Sequence, residues 1–168
     1  MYDFIFIAGS PGSGKTTITK LLQARLQSPS IDFGVLREFH LDREWKKASD
    51  EEEKMSFENL MFILRNYVKN GYTNILVNDL QDFRIEQVPE VFKENRYVIV
   101  SLVVKDDEEL KRRVLTESRD SGFRDFEQAI EWNKRIHDRE QLSGEYKLDN
   151  THNNPQQTVD QILKLLNS

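Results

Sequence analysis

The chain contains no cysteine, which excludes disulfide bonds, cysteine-ligated zinc, iron–sulfur clusters and thiol catalysis. Hydrophobic runs are short, and the longest, from Tyr97 to Val104, has eight residues, too few to span a bilayer. No basic segment with a cleavage site precedes the first apolar run, so no signal peptide is predicted. These features are compatible with a reducing compartment, and we expect a cytoplasmic protein that does not enter a membrane.

Positive charge is in the minority. The 168 residues include 24 Lys and Arg against 29 Asp and Glu, which gives a formal net charge of −5. Binding to nucleic acid depends on neutralising phosphates with basic surface, so no nucleic-acid partner is expected. The length and the absence of any low-complexity linker predict one compact domain over residues 1–168.

Glycine is also scarce, but three of the seven glycines fall between positions 9 and 14. Residues 9–16 read Gly-Ser-Pro-Gly-Ser-Gly-Lys-Thr, which fits the phosphate-loop pattern G-x-x-x-x-G-K-[ST] at every fixed position. Glycines let the backbone turn its N–H groups toward a polyphosphate, and the following helix adds the positive end of its dipole. In such loops the lysine reaches the β- and γ-phosphates and the hydroxyl of the last residue ligates Mg²⁺, which predicts catalysis by Lys15 and metal binding by Thr16. The predicted ATP-binding residues are Gly9, Ser10, Pro11, Gly12, Ser13, Gly14, Lys15, Thr16 and Thr17.

Short apolar runs alternate with longer segments of helical period along the chain. Strands are predicted at residues 2–8, 30–33, 74–78, 97–104 and 146–148, and helices at 14–26, 55–68, 85–92, 107–117 and 155–166. Asn154, Pro155 and Gln157 have the spacing of a helix start with a capping box. Strands that alternate with helices predict an α/β fold with a parallel sheet covered on both faces.

With the phosphate loop placed between a strand and a helix, the sequence resembles the P-loop family of small-molecule and nucleoside-monophosphate kinases, which includes adenylate, shikimate and gluconate kinases. The resemblance follows the chain in order, from the loop to Asp32 and Arg37, Asp79, an arginine-bearing stretch and a closing Asp-x-Thr loop at Asp149. It implies a three-layer P-loop NTPase fold with five parallel strands. It also implies an acceptor-binding insertion at about 34–70 and a mobile lid at about 113–126.

Asp32 ends the second predicted strand, at the edge where ligands approach an open α/β sheet. The resemblance implies two roles for it, as the general base that takes the acceptor's hydroxyl proton or as part of an acceptor-binding motif that ends at Arg37. An aspartate that only caps a helix and an arginine that only lies on the surface are the alternatives for these two positions.

Asp79 follows the third predicted strand, where a carboxylate can hold Mg²⁺ directly or through water. It is predicted to bind metal and substrate, the alternative being a loop aspartate without a ligand. Arg84 lies five residues later and is a candidate for acceptor contact. The Gly-Phe-Pro-Arg signature of adenylate kinases and the Gly-Gly-Gly signature of shikimate kinases are absent, which argues against those two acceptors.

Arginines are dense between positions 106 and 124. Arginines that close over a transferring phosphoryl group stabilise its charge, and the resemblance assigns catalytic lid roles to Arg113 and Arg119. The alternative is a solvated helix face on which glutamates and arginines pair.

The predicted function is ATP- and Mg²⁺-dependent transfer of a phosphoryl group to a small acceptor, which could be a hydroxyl-bearing metabolite, an antibiotic or a nucleotide. The alternative is a nucleotide-binding switch or ATPase without a small-molecule acceptor. A GTPase is disfavoured because no Asn-Lys-x-Asp motif is present.

Overall fold

The computed structural model describes residues 1–41, 45–117 and 122–167. Its strands are β1 (Phe4–Gly9), β2 (Ser30–Asp32), β3 (Ile75–Asn78), β4 (Tyr97–Val103) and β5 (Glu145–Asp149). Its helices are α1 (Lys15–Leu26), α2 (Phe33–Glu38), α3 (Asp50–Lys69), α4 (Asp82–Val91), α5 (Asp107–Leu115), α6 (Phe126–Asp138) and α7 (Pro155–Leu166). The prediction of an α/β fold is confirmed.

The five strands form one parallel sheet in the order β2-β3-β1-β4-β5. β1 is central, and its alternate side chains enter two different hydrophobic cores. Phe4 and Phe6 pack with α3 and α4 on one face, whereas Ile5 and Ile7 pack with α1 and α7 on the other. This confirms the predicted parallel sheet with helices on both faces and brings the carboxyl ends of β1, β2 and β3 to one edge.

Three local predictions need correction. The second strand ends at Asp32, because Asp32 caps α2 by accepting a hydrogen bond from the Val35 N–H. The helix predicted to start at residue 55 is α3, which begins at Asp50, since Ser49 caps it and the acidic first turn complements the helix dipole. α6 was not predicted as a separate helix. The start of α7 at Pro155, with Asn154 and Gln157 in a capping box, is confirmed.

A buried polar cluster joins α6 to the edge strand β5. The fully buried Glu145 carboxylate accepts two 2.7 Å hydrogen bonds from Arg139 and one from Ser101. Burial alone would raise the pKa of Glu145, but the Arg139 hydrogen bond and further donors lower it below its usual value. The cluster holds the end of α6 against the sheet.

No helix in the described ranges is long and apolar enough to cross a membrane.

Candidate functional site

The phosphate loop joins β1 to α1 and adopts a conformation that requires glycine. Gly9 has φ 142°, and a Cβ there would lie 2.4 Å from Ser13 Oγ and 2.7 Å from the Leu102 carbonyl oxygen. Gly12 has φ 86°, and its Cβ would lie 2.9 Å from the Val114 side chain of α5. The loop is therefore packed directly against β4 and α5, which fixes its backbone.

This loop fits a polyphosphate. α1 starts at Lys15 with Gly14 as its N-cap, so no side chain accepts hydrogen bonds from the N–H groups of the first turn. The Ser13 hydroxyl is buried and has no hydrogen-bond partner among the described residues. Thr16 and Thr17 are exposed at the start of the helix. Unused donors at the positive end of a helix are what a nucleotide phosphate needs.

The Lys15 side chain folds back onto the phosphate loop. Its Nζ donates hydrogen bonds to the carbonyl oxygens of Gly9, at 2.9 Å, and Ser10, at 3.3 Å, and lies 3.7 Å from Asp79 Oδ1. The side chain is 11% exposed. The ammonium group is thus held at the mouth of the loop, where the terminal phosphates of a nucleotide would lie.

The structure brings Asp32 close to Asp79, which itself lies beside Lys15. Asn78 donates a 2.8 Å hydrogen bond to Asp32 Oδ2, and the Val35 N–H donates one of 3.2 Å to Oδ1. A Cβ on Gly34 would lie 2.6 Å from Asp79 Oδ2 and 3.2 Å from Asp32 Oδ1, so both carboxylates approach the same small residue. Asp32 therefore caps a helix and also lies close to Asp79, so its predicted role in the site and its capping role are compatible.

Asp79 has a left-handed backbone conformation, with φ 63°. Aspartate tolerates this conformation better than most residues do, and such backbone positions are frequent at functional sites. The Asp79 carboxylate lies 3.7 Å from the Lys15 ammonium group. In the described part of the chain no three His, Asp or Glu side chains cluster into a metal site, so a magnesium ion here would take further oxygen ligands from phosphates and water.

The predicted arginines have definite partners. Arg37 is bound by Glu52, with its Nη2 2.5 Å from Glu52 Oε2. Arg84 is bound by Glu53, with its Nη2 2.6 Å from Glu53 Oε2. The Arg37 hydrogen bond is the main cause that lowers the pKa of Glu52. Both guanidinium groups are therefore occupied by glutamate side chains.

Arg113 holds the loop that follows β5. It donates hydrogen bonds to the carbonyl oxygens of Asn150, at 3.0 Å, and Thr151, at 2.7 Å, and pairs with Glu109 at 2.7 Å. Arg119, the other predicted lid arginine, lies outside the described residues. In this arrangement Arg113 acts on the closing loop, and its contact with a nucleotide stays a prediction.

Sequence reasoning missed Asn150. Its amide is buried and donates a 2.8 Å hydrogen bond to the Ser13 carbonyl oxygen of the phosphate loop, while Oδ1 accepts a 2.5 Å hydrogen bond from Thr158. Together with Arg113, this side chain ties the phosphate loop to α5 and α7. The only sequence signal was an amide directly after the last strand, at the same sheet edge as the loop.

Comparison with known proteins assigns the chain to a family. The sequence model of AAA_18, described as an AAA domain, matches residues 5–133. The chain belongs to this AAA domain family. A curated relative from Thermococcus onnurineus (strain NA1), named "Putative adenylate kinase", is 25% identical over 166 residues and is matched over 98% of this chain and 84% of its own length.

Several solved structures with a similar fold are kinases. A sugar kinase from Janibacter sp. HTCC2649 superposes with a TM-score of 0.70 and 17% identity, covering 98% of this chain and 94% of that one. A gluconokinase from Sinorhizobium meliloti 1021 gives a TM-score of 0.68 and 14% identity over 97% and 90% of the two chains. Shikimate kinase from Aquifex aeolicus gives 0.62 and 19% over 98% and 96%. The predicted P-loop kinase fold is confirmed.

Proposed function

We propose that the protein transfers the γ-phosphoryl group of ATP, in the presence of Mg²⁺, to a hydroxyl group of a small acceptor. The observation that supports the proposal is that Asp79 lies 3.7 Å from Lys15 of the phosphate loop and that Asp32 lies close to Asp79. A phosphate cradle alone would suit many nucleotide-binding proteins. Two neighbouring carboxylates, one of them beside the lysine, would provide in addition a place for a metal ion and for an acceptor hydroxyl.

Each group has a proposed task. The N–H groups of the loop and Lys15 would hold the phosphates, and Thr16 and Asp79 would hold Mg²⁺, which neutralises charge on the β- and γ-phosphates when bound. Asp32 would accept the proton of the acceptor hydroxyl. Its hydrogen bonds from Asn78 and Val35 fix the carboxylate in place, so it needs no reorganisation at the moment of transfer.

The proposed reaction moves the γ-phosphoryl group from ATP to the acceptor oxygen. The acceptor oxygen forms a bond to the γ-phosphorus while the bond between that phosphorus and the β,γ-bridging oxygen breaks, and ADP leaves with the electron pair. The hydroxyl proton passes to Asp32 and then to solvent. Segment 113–126, which includes Arg113 and Arg119, is proposed to close over the phosphates and exclude water.

The test is acceptor-dependent ADP release, measured over sugars, sugar acids, nucleosides, nucleotides and aminoglycosides. Lys15→Ala should lower kcat at least roughly 100-fold, the scale for losing one transition-state donor. Lys164→Ala, an exposed position on α7, is the matched control and should turn over normally. Slow turnover that no acceptor raises would instead favour a nucleotide-binding switch or ATPase, and normal turnover by Lys15→Ala would remove the proposed site.

A further inference from the structure

The two arginines predicted to contact the acceptor are both held by α3. Arg37 on α2 forms a two-pronged pair with Glu52 of α3, with Nε 3.1 Å and Nη2 2.5 Å from Oε2 and Nε 3.3 Å from Oε1. Arg84 on α4 pairs with the next residue, Glu53, through Nε at 2.9 Å and Nη2 at 2.6 Å. Consecutive glutamates thus occupy both guanidinium groups.

These pairs are enclosed. The Arg37 and Glu52 side chains are 6% and 10% exposed, and those of Arg84 and Glu53 are 14% and 9% exposed. Aromatic rings cover the remaining faces. The guanidinium carbon of Arg37 lies 4.6 Å from the Trp45 ring centre, and that of Arg84 lies 4.2 Å from Phe57 and 5.0 Å from Phe83.

Such pairing uses the donors that an anionic acceptor would need. A guanidinium group binds phosphate or carboxylate through the same parallel N–H fork that Glu52 and Glu53 already fill. The hydrogen bond that Ser56 donates to Glu52, at 2.7 Å, further fixes that carboxylate. An acceptor anion would have to displace a buried carboxylate from each arginine, which leaves that carboxylate unpaired.

Carboxylates outnumber cationic groups at this edge of the sheet. Asp32 and Asp79 lie at the ends of β2 and β3, and α2 and α4, which carry the two arginines, begin within a few residues of them. With Glu52 and Glu53, four carboxylates lie against three cationic groups, namely the two guanidinium groups and the Lys15 ammonium group that lies 3.7 Å from Asp79. Carboxylates accept hydrogen bonds from hydroxyl and ammonium groups and repel a second anion.

We propose that the acceptor is a hydroxyl compound that is uncharged or carries an amine, and that phosphate- and carboxylate-bearing acceptors are excluded. The proposal rests on the proposed function and names the substrate class of the same site. Glu52 and Glu53 are the residues that set this specificity, because they neutralise Arg37 and Arg84.

The first test compares acceptors that share a scaffold and differ in charge: adenosine with AMP, and glucose and glucosamine with gluconate. ADP release should show a kcat/KM at least tenfold higher for the uncharged or amine-bearing member of a pair. Preference for AMP or gluconate would overturn the inference and leave the kinase activity standing. ADP release that no compound stimulates would contradict the proposed function itself, and the inference with it.

The second test needs no turnover. Glu52→Gln/Glu53→Gln should free the two arginines, and calorimetry in the presence of ADP should show AMP binding at least tenfold more tightly than to the wild type. Glu58→Gln, an exposed change on the same helix, should match the wild type. Thermal melting checks that each variant folds. If the double variant does not fold, Glu52→Gln and Glu53→Gln are measured separately. Tight AMP binding by the wild type, or no gain in a folded variant, would refute the assignment.

Discussion

Replacing Asn150 with alanine tests whether the closing loop supports the phosphate loop. The side chain makes two buried hydrogen bonds, one to the Ser13 carbonyl oxygen at 2.8 Å and one from the Thr158 hydroxyl at 2.5 Å. In the variant, the Ser13 carbonyl and the Thr158 hydroxyl would each lose a hydrogen bond. A buried polar group left without its partner costs about 1 to 3 kcal/mol. Thr158 keeps a 3.3 Å hydrogen bond to the Asn154 carbonyl oxygen, so its share lies at the low end.

The combined loss in the free energy of unfolding is about 3 kcal/mol, since the Ser13 carbonyl carries most of it. For a chain of this size, a loss of that magnitude lowers the melting temperature by roughly 6 to 12 °C. The backbone hydrogen bonds of Asn150, to Val103 and from Arg113, remain in the variant, so the fold should persist.

The change should also weaken ATP binding, because the Ser13 carbonyl lies within the phosphate cradle. A loss of one well-placed hydrogen bond to the cradle predicts a Kd about tenfold higher, equivalent to about 1.4 kcal/mol. Thermal melting and calorimetry with ATP measure the two effects. Asn153→Ala, in the same loop but on exposed contacts, is the control and should change neither by much. If Asn150→Ala melts and binds ATP like the wild type, the loop does not support the cradle.

Two further substitutions test the position of Asp79 and the pairing of Glu109. Gly34→Ala should leave the melting temperature unchanged or higher, because alanine favours the helix by about 1 kcal/mol. The same change should lower kcat, because the new Cβ would lie 2.6 Å from Asp79 Oδ2 and displace that carboxylate from Lys15. Full activity would contradict the placement of Asp79. Glu109 has a pKa of about 2, lowered mainly by its hydrogen bond from Arg112. A carboxyl whose pKa is lower in the folded state than the usual 4.5 stabilises the fold above that value, and its contribution is lost as the pH falls toward 2. Urea unfolding between pH 2 and 6 should therefore show a smaller decline for Glu109→Gln than for the wild type, and identical pH profiles would disprove the pairing.

The parts of the fold that were predictable from the sequence are those set by local patterns. The phosphate loop, the apolar β1 and β4, and the capping box at Asn154 each depend on residues within a few positions of one another. Periodicity and spacing are sufficient for such features. The juxtaposition of Lys15 with Asp79 was also predictable, since both follow strands whose carboxyl ends meet at one edge.

The partners of the arginines were not predictable. Arg37 and Glu52 are 15 residues apart and Arg84 and Glu53 are 31 apart, and nothing in their local sequence joins them. Their pairing depends on how α3 crosses α2 and α4, which is a tertiary property. Asn150 is a similar case, because its contact with Ser13 spans 137 positions.

The central claim is transfer of a phosphoryl group to a small acceptor, and the most direct measurement follows the label from γ-³²P-labelled ATP. Incubation with Mg²⁺ and an acceptor that stimulates ADP release should move the label into a phosphorylated acceptor, with Lys15→Ala transferring at least roughly 100-fold more slowly. Label recovered only as inorganic phosphate, with every acceptor class, would contradict the account and identify an ATPase.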